Sequence, residues 1–154
     1  MKLRVVCFLS IVLAVGNAAA QDVNVYMPGQ VWTYRTVPGD DASRVVIGKV
    51  EVLEKDGMVI HAMITDLSLP DALSPGGGSM MYNITHVPLT KSALDQSVLK
   101  LDGSRQIDKV FDEAYAEWRE AYDKNQAGLV DRPLADIVKD LRSSGFQPPE
   151  AAAE

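Results

Sequence analysis

The stretch GQVWTYRTVPGDDASRVVIGKVEV, residues 29–52, decides the fold. Over residues 31–37, Trp32, Tyr34 and Thr36 alternate with Val31, Thr33, Arg35 and Val37, the two-residue period of a strand. Pro-Gly-Asp-Asp at 38–41 is turn chemistry, because proline presets one backbone angle and glycine accepts the reverse hand. Residues 43–54 carry Val45, Val46, Ile47, Val50 and Val52, β-branched side chains that suit a pleated surface. The stretch is therefore read first as a hairpin with an aromatic side. Trp32 and Tyr34 share that side, so they either anchor a helical layer or sit together on an open face.

Outward from the hairpin the pattern continues. Lys-Asp-Gly at 55–57 lies between two extended runs, a strong hairpin signal. Residues 58–67 form a third strand with Ile60, Ala62 and Ile64 on one face and His61, Met63 and Thr65 on the other. Such clean alternation predicts one wetter face. Residues 68–79, SLPDALSPGGGS, read as a mobile loop, since prolines and consecutive glycines oppose regular structure. Residues 80–89 make a fourth strand, with Pro88 arguing for an edge or a strand end.

Beyond residue 90 the period turns helical. Thr90 is placed to cap a helix through Leu101, with Leu94, Val98 and Leu101 on one stripe and Asp102-Gly103 ending it. Ser104 is placed to cap a longer helix over 105–126, whose apolar stripe includes Ile107, Phe111, Tyr115 and Trp118. Its opposite face carries Asp and Glu. A last helix opens at Pro133, with Asp131 as its cap, and stops near Gly145. The fold class is α+β: a small, mostly antiparallel meander of about four strands, covered on one face by C-terminal helices. The aromatics of the long helix favour packing of Trp32 and Tyr34 beneath it, which would send Arg35 to the opposite face.

The first twenty residues read as a secretory signal peptide, cleaved after Ala20. Lys2 and Arg4 precede a short apolar core, and Ala18, Ala19 and Ala20 supply the small residues for cleavage. The apolar run is short for crossing about 30 Å of hydrocarbon. Residues 21–146 form one globular domain, and 147–154 a disordered tail. The expected location is the periplasm. The one cysteine, Cys7, leaves with the signal, so stability rests on packing. Losing Lys2 and Arg4 moves the net charge from −6 to about −8. That sign is wrong for nucleic acid or an anionic membrane and favours a cationic partner.

Catalytic motifs are sparse. His61 and His86 fall in separate strands and could meet if those strands are neighbours, with Asp66 as a third metal ligand. HxH and HExxH spacings are absent, so no metal or cofactor is expected. Ser97 to Lys100 matches S-x-x-K without its companion motifs. The glycines Gly76, Gly77 and Gly78 lack the lysine of a phosphate loop. They read as a binding loop leading into Met80, Met81 and Tyr82, adaptable side chains suited to a protein surface. With Arg35, these residues are the candidate partner-binding set.

Residues 26–36, YMPGQVWTYRT, with SRVVIGKVE at 43–51 and ITHVPLTKSALDQSV at 84–98, resemble a group of small exported proteins of Gram-negative bacteria. That group shares a G-Q-x-W-x-Y-x-T-R-P-G-E-like opening and an H-x-P-x-S/T-x-x-A-L segment. Val37 stands where the pattern has arginine, so no role of that arginine carries over. Some small periplasmic proteins of this kind are similar to immunity proteins. The resemblance implies a non-enzymatic, protein-binding inhibitor that blocks a secreted antibacterial effector, and the acidic charge and periplasmic location point to a basic toxin acting on the cell envelope. Two other readings stand beside it: an envelope accessory module with another protein partner, and a hydrolase with a site around His61 and His86.

Overall fold

The computed structural model describes residues 25–71 and 77–144. The signal segment 1–20 and the tail 147–154 lie outside them. The elements are strands β1 (Gln30–Tyr34), β2 (Arg44–Leu53), β3 (Gly57–Asp71) and β4 (Gly78–Thr90), helix α1 (Lys91–Ser97), strand β5 (Val98–Ser104), and helices α2 (Lys109–Asp123) and α3 (Leu134–Ser143). The five strands form one antiparallel sheet in the order β4-β3-β2-β1-β5. The class is α+β, a meander with C-terminal helices.

The turns form where glycine permits them. Gly39 and Gly57 take φ of 96° and 72°, left-handed values that L side chains rarely adopt. They close the two hairpins foreseen at P-G-D-D and K-D-G. The third hairpin is longer than expected: β3 reaches Asp71 and β4 begins at Gly78, so residues 68–71 and 78–79, expected in a loop, are strand. Pro70 sits in β3 opposite Ser79.

The fifth strand replaces the second half of an expected helix. Thr90 caps α1 as foreseen, accepting from the Ala93 N–H at 3.1 Å. The helix ends at Ser97. Residues 98–104 then extend along β1, which would otherwise be the sheet edge, and pair from Val98 opposite Tyr34 to Ser104 opposite Gln30. Backbone hydrogen bonds to an open strand decide this segment against its helical spacing. Leu101, expected on the buried stripe, is 46% exposed. Ser104 therefore caps nothing. Helix α2 starts after Asp108, four residues later than the sequence pattern predicts.

The helices divide between the two faces. Trp32, Tyr34, Val45, Ile47, Ile60, Ala62, Ile64, Val87 and Leu89 pack with Ala93 and Leu94 of α1 and Leu134 and Val138 of α3. On the other face Val46 and Met63 pack with Phe111 of α2. Both faces of β3 are consequently dry over its middle, where Val59 through Thr65 are all buried and neither face is the wetter one, while Met58, Asp66 and Pro70 near its ends are exposed. Trp32 and Tyr34 do not meet the long helix. Trp32 instead takes an edge-to-face contact with Tyr26 at 5.6 Å.

Helix α3 is joined to α1 by Ser97, whose buried hydroxyl donates to Ala93 O at 2.7 Å and accepts from Leu134 N–H at 2.9 Å. The Ser97 of the S-x-x-K match is thus a structural hydroxyl, and Lys100 lies on a different element. Asp131 does not cap α3. It accepts from the Thr90 hydroxyl at 2.6 Å, tying the approach to α3 onto the end of β4.

Candidate functional site

Between the sheet and α2 lies a chain of polar side chains. Lys49 and Glu51 are two apart on β2 and share a face. Lys49 is in register with His61 of β3, and His61 with Pro88 of β4, which makes His86 its diagonal neighbour. His61 Nδ1 and His86 Nε2 are 2.9 Å apart, and His61 Nε2 is 2.9 Å from Glu51 Oε1. Tyr115 of α2 donates to the same Glu51 oxygen at 3.1 Å and accepts from Lys49 Nζ at 2.7 Å. Arg119 Nη1 stands 3.5 Å from Glu51 Oε2.

Donor and acceptor rules fix the tautomers. Glu51 as a carboxylate only accepts, so His61 carries its proton on Nε2. His61 Nδ1 then accepts, and His86 Nε2–H donates. This leaves the lone pair of His86 Nδ1 as the end of the chain, with no protein partner among the described residues.

Burial sets the electrostatics. His61 is fully buried and His86 half-buried. Desolvation lowers the His61 pKa, against the pull of the Glu51 charge. Desolvation and then the neighbouring His61 push His86 down to about 4. Rings pack on the pair: Trp118 lies 4.8 Å from His61 and 5.7 Å from His86, and Tyr115 lies 4.9 Å from His61.

The arrangement is a Glu–His–His relay that ends in one imidazole lone pair without a protein partner among the described residues, the geometry of a positioned proton acceptor. Among the described residues no hydroxyl or thiol nucleophile is hydrogen-bonded to either histidine. No group of three His, Cys, Asp or Glu there could hold a metal ion. Asp66, the expected third ligand, is exposed and apart from the pair. Its positive φ of 56° marks a bulge in β3, and its N–H donates to Asn83 Oδ1 at 2.9 Å. Glu51 takes the place expected of it. The sequence carried one signal for Glu51: two charges, Lys49 and Glu51, interrupt an otherwise β-branched run at strand spacing. Helical spacing places Tyr115 and Trp118 on the apolar stripe and gives no signal for Arg119.

The partner-binding set is scattered. Arg35 follows β1 and is exposed, with Nη1 donating to Gln96 O at 2.6 Å at the end of α1. Gly76 lies outside the described residues. Gly77 is exposed with φ of 77°, and Gly78 opens β4. Met80, Met81 and Tyr82 lie in the fourth strand, as the pattern predicts, opposite Leu69, Ser68 and Leu67. Met80 is 37% and Met81 61% exposed, whereas Tyr82 packs partly against the core.

Strand β4 is an edge of the sheet. Its last residues are covered, with Val130 N–H donating to Pro88 O at 2.8 Å and Thr90 N–H to Val130 O at 3.0 Å. Residues 78–87 have no strand on their outer side among the described residues. That run, GSMMYNITHV, holds neither a charged residue nor a proline. No helix among the described residues is long and apolar enough to cross a membrane. No protein-family model, curated protein or solved structure matches this chain.

Proposed function

We propose that the chain is an exported protein-binding inhibitor, most concretely an immunity protein that neutralises a secreted antibacterial effector by steric occlusion. The observation that carries this reading is the uncharged, proline-free outer edge of β4 over residues 78–87. Edges left in this state are templates for strand addition, and proteins that do not use them blunt them with lysine, proline or a cover. A partner's extended segment would join as a sixth strand through its main chain, with Met80 and Met81 supplying adaptable apolar contact. The acidic balance of the chain would speed encounter with a basic effector.

The test is to express the tagged mature chain in the periplasm, identify what co-purifies, and delete the gene. A basic envelope-acting toxin in the eluate, with killing of the deletion strain by sibling cells and rescue by the gene, is the expected result. An unrelated envelope complex in the eluate moves the protein to the accessory-module reading. An empty eluate without sibling killing defeats the proposal.

A second reading has one specific observation behind it. The contact of 2.9 Å between His61 and His86, backed by Glu51, would suit His86 to general-base work in a hydrolase. Loss of a hydrolytic activity in His86→Gln, with the far-ultraviolet spectrum unchanged, would support it. Equal activity in wild type and variant would remove it.

A further inference from the structure

The relay also sits where one helix is attached to the sheet. The apolar contact beneath α2 is small: its buried members are Val46, Met63 and Phe111, with Val31, Ile107 and Tyr115 at the rim. The rest of the attachment is polar and centres on the histidine pair. Tyr115 and Trp118 rest on the imidazoles, Tyr115 bonds Glu51 and Lys49, and Arg119 reaches Glu51. Farther along, Tyr122 donates to Asp56, and Trp118 Nε1 donates to Gly128 O at 3.2 Å.

We propose that the Glu51–His61–His86 chain is a proton-operated latch that holds α2 on the sheet while both imidazoles are neutral and releases it when they ionise. The charges facing the pair give the direction. Strand β2 contributes Lys49 as a cation and Glu51 as an anion. Helix α2 contributes Arg119 as a cation and Tyr115 as a neutral phenol. Neither β3 nor β4 adds a charge there beyond the histidines themselves. With neutral histidines the cluster carries one excess positive charge. One proton raises that to two and a second to three, against the single anion Glu51. A proton on His86 enters at Nδ1, the lone pair without a partner, and places an imidazolium 5.7 Å from the Trp118 ring in a half-buried site. A proton on His61 must take Nδ1, which then ceases to accept from His86.

The pH window follows from the shifts. Both pKa values are lowered on folding, so an undocked chain binds protons first as the pH falls below the ordinary histidine value of 6.5. The docked state is therefore favoured above that value and loses ground from there down to about 4. Across that window each unit of pH costs docking up to about ten-fold per histidine. Helix α3, anchored on the opposite face by Leu134 and Val138, has no such pair beneath it.

The latch is independent of any partner, so its test needs only the protein itself. Amide hydrogen exchange of the full mature chain is followed by mass spectrometry from pH 7.5 to 4.5 and normalised to the intrinsic rate. Protection of α2 should fall by at least about ten-fold while that of α3 stays level. His86→Gln keeps a donor at the position of Nε2 and removes one titrating group, so its α2 should hold protection to lower pH than wild type. Simultaneous loss from α2 and α3 in wild type, or no loss from α2, overturns the latch. So does a folded His86→Gln protein whose α2 opens at the wild-type pH. Should that variant not fold, the wild-type comparison of α2 with α3 decides alone.

Discussion

Gly48 lies directly beneath the ring of Phe111: a β-carbon at this position would stand 2.2 Å from Cζ and 2.3 Å from Cε2. The glycine sits where the pairing of β2 with β3 shifts register between Ile47 and Lys49, and its missing side chain is the seat of the first turns of α2. Phe111 is only 2% exposed, so the ring has little room to yield. Gly48→Ala is expected to destabilise by about 1–3 kcal/mol through overpacking. Gly48→Ala/Phe111→Leu should recover part of the loss, because the shorter side chain clears the new methyl. Urea denaturation of both variants and of Phe111→Leu alone measures the coupling. Strict additivity would show that the two positions do not touch.

An ion pair with a fully buried carboxylate joins Asp40 to Arg142. Asp40 is 1% exposed, and its Oδ2 lies 2.8 Å from Arg142 Nη2 while Oδ1 accepts from the Ser68 N–H at 2.8 Å. Arg142 also donates to Pro38 O at 2.9 Å and Ser68 O at 2.8 Å, so one side chain joins the first hairpin turn, β3 and the end of α3. Arg142→Met leaves a buried carboxylate without its cation. The expected cost is about 3 kcal/mol, at the low end for such removals because the guanidinium is partly exposed. Asp40→Asn/Arg142→Met should be milder than Arg142→Met alone. Thermal unfolding of the pair of variants at one pH checks the order.

Tyr34 ties stability to alkaline pH. The Ser43 hydroxyl donates to Thr65 O at 2.6 Å, so the Tyr34 hydroxyl donates to Ser43 Oγ at 2.8 Å. Burial holds the phenol pKa above 10. A raised folded pKa means that stabilisation is complete below the unfolded value and declines as pH rises through the folded one. Tyr34→Phe should lose about 1 kcal/mol at pH 7, and the gap to wild type should narrow above pH 10. A gap that stays constant between pH 7 and 11 in urea titrations would remove the argument.

At the β4 edge, stability and binding should separate. Met81 is 61% exposed, so Met81→Lys ought to change unfolding by no more than about 0.5 kcal/mol. The same substitution puts a charge on the open edge and opposes a basic partner, so it should reduce recovery of the captured protein. Unchanged recovery would place the contact elsewhere.

Much of the sheet could be read directly. Turn residues at 38–41 and 55–57 and the β-branched runs between them act locally, so the first three strands appear where the pattern puts them. The fifth strand was hidden because Leu94, Val98 and Leu101 also satisfy helical spacing. Only the vacant side of β1, nearly seventy residues earlier in the chain, makes extended backbone the better choice for 98–104. The meeting of His61 with His86 was foreseeable as a consequence of neighbouring strands. Glu51 in place of Asp66 was not, since it depends on register and on a bulge.

The sequence by itself determined the period of each segment, its turns and its helical stripes, because those follow from neighbours within a few residues. It also set the charge and the apolar content that any fold must accommodate. Tertiary structure alone decided which face each helix covers. Alternation along β3 separated an apolar face from one bearing His61, Met63 and Thr65, and which helix covers each rests on shape: Gly48 opens a seat for Phe111 on one side, while Trp32 and Tyr34 fill the other alongside α1 and α3. That same choice placed α2, rather than solvent, over the histidine pair.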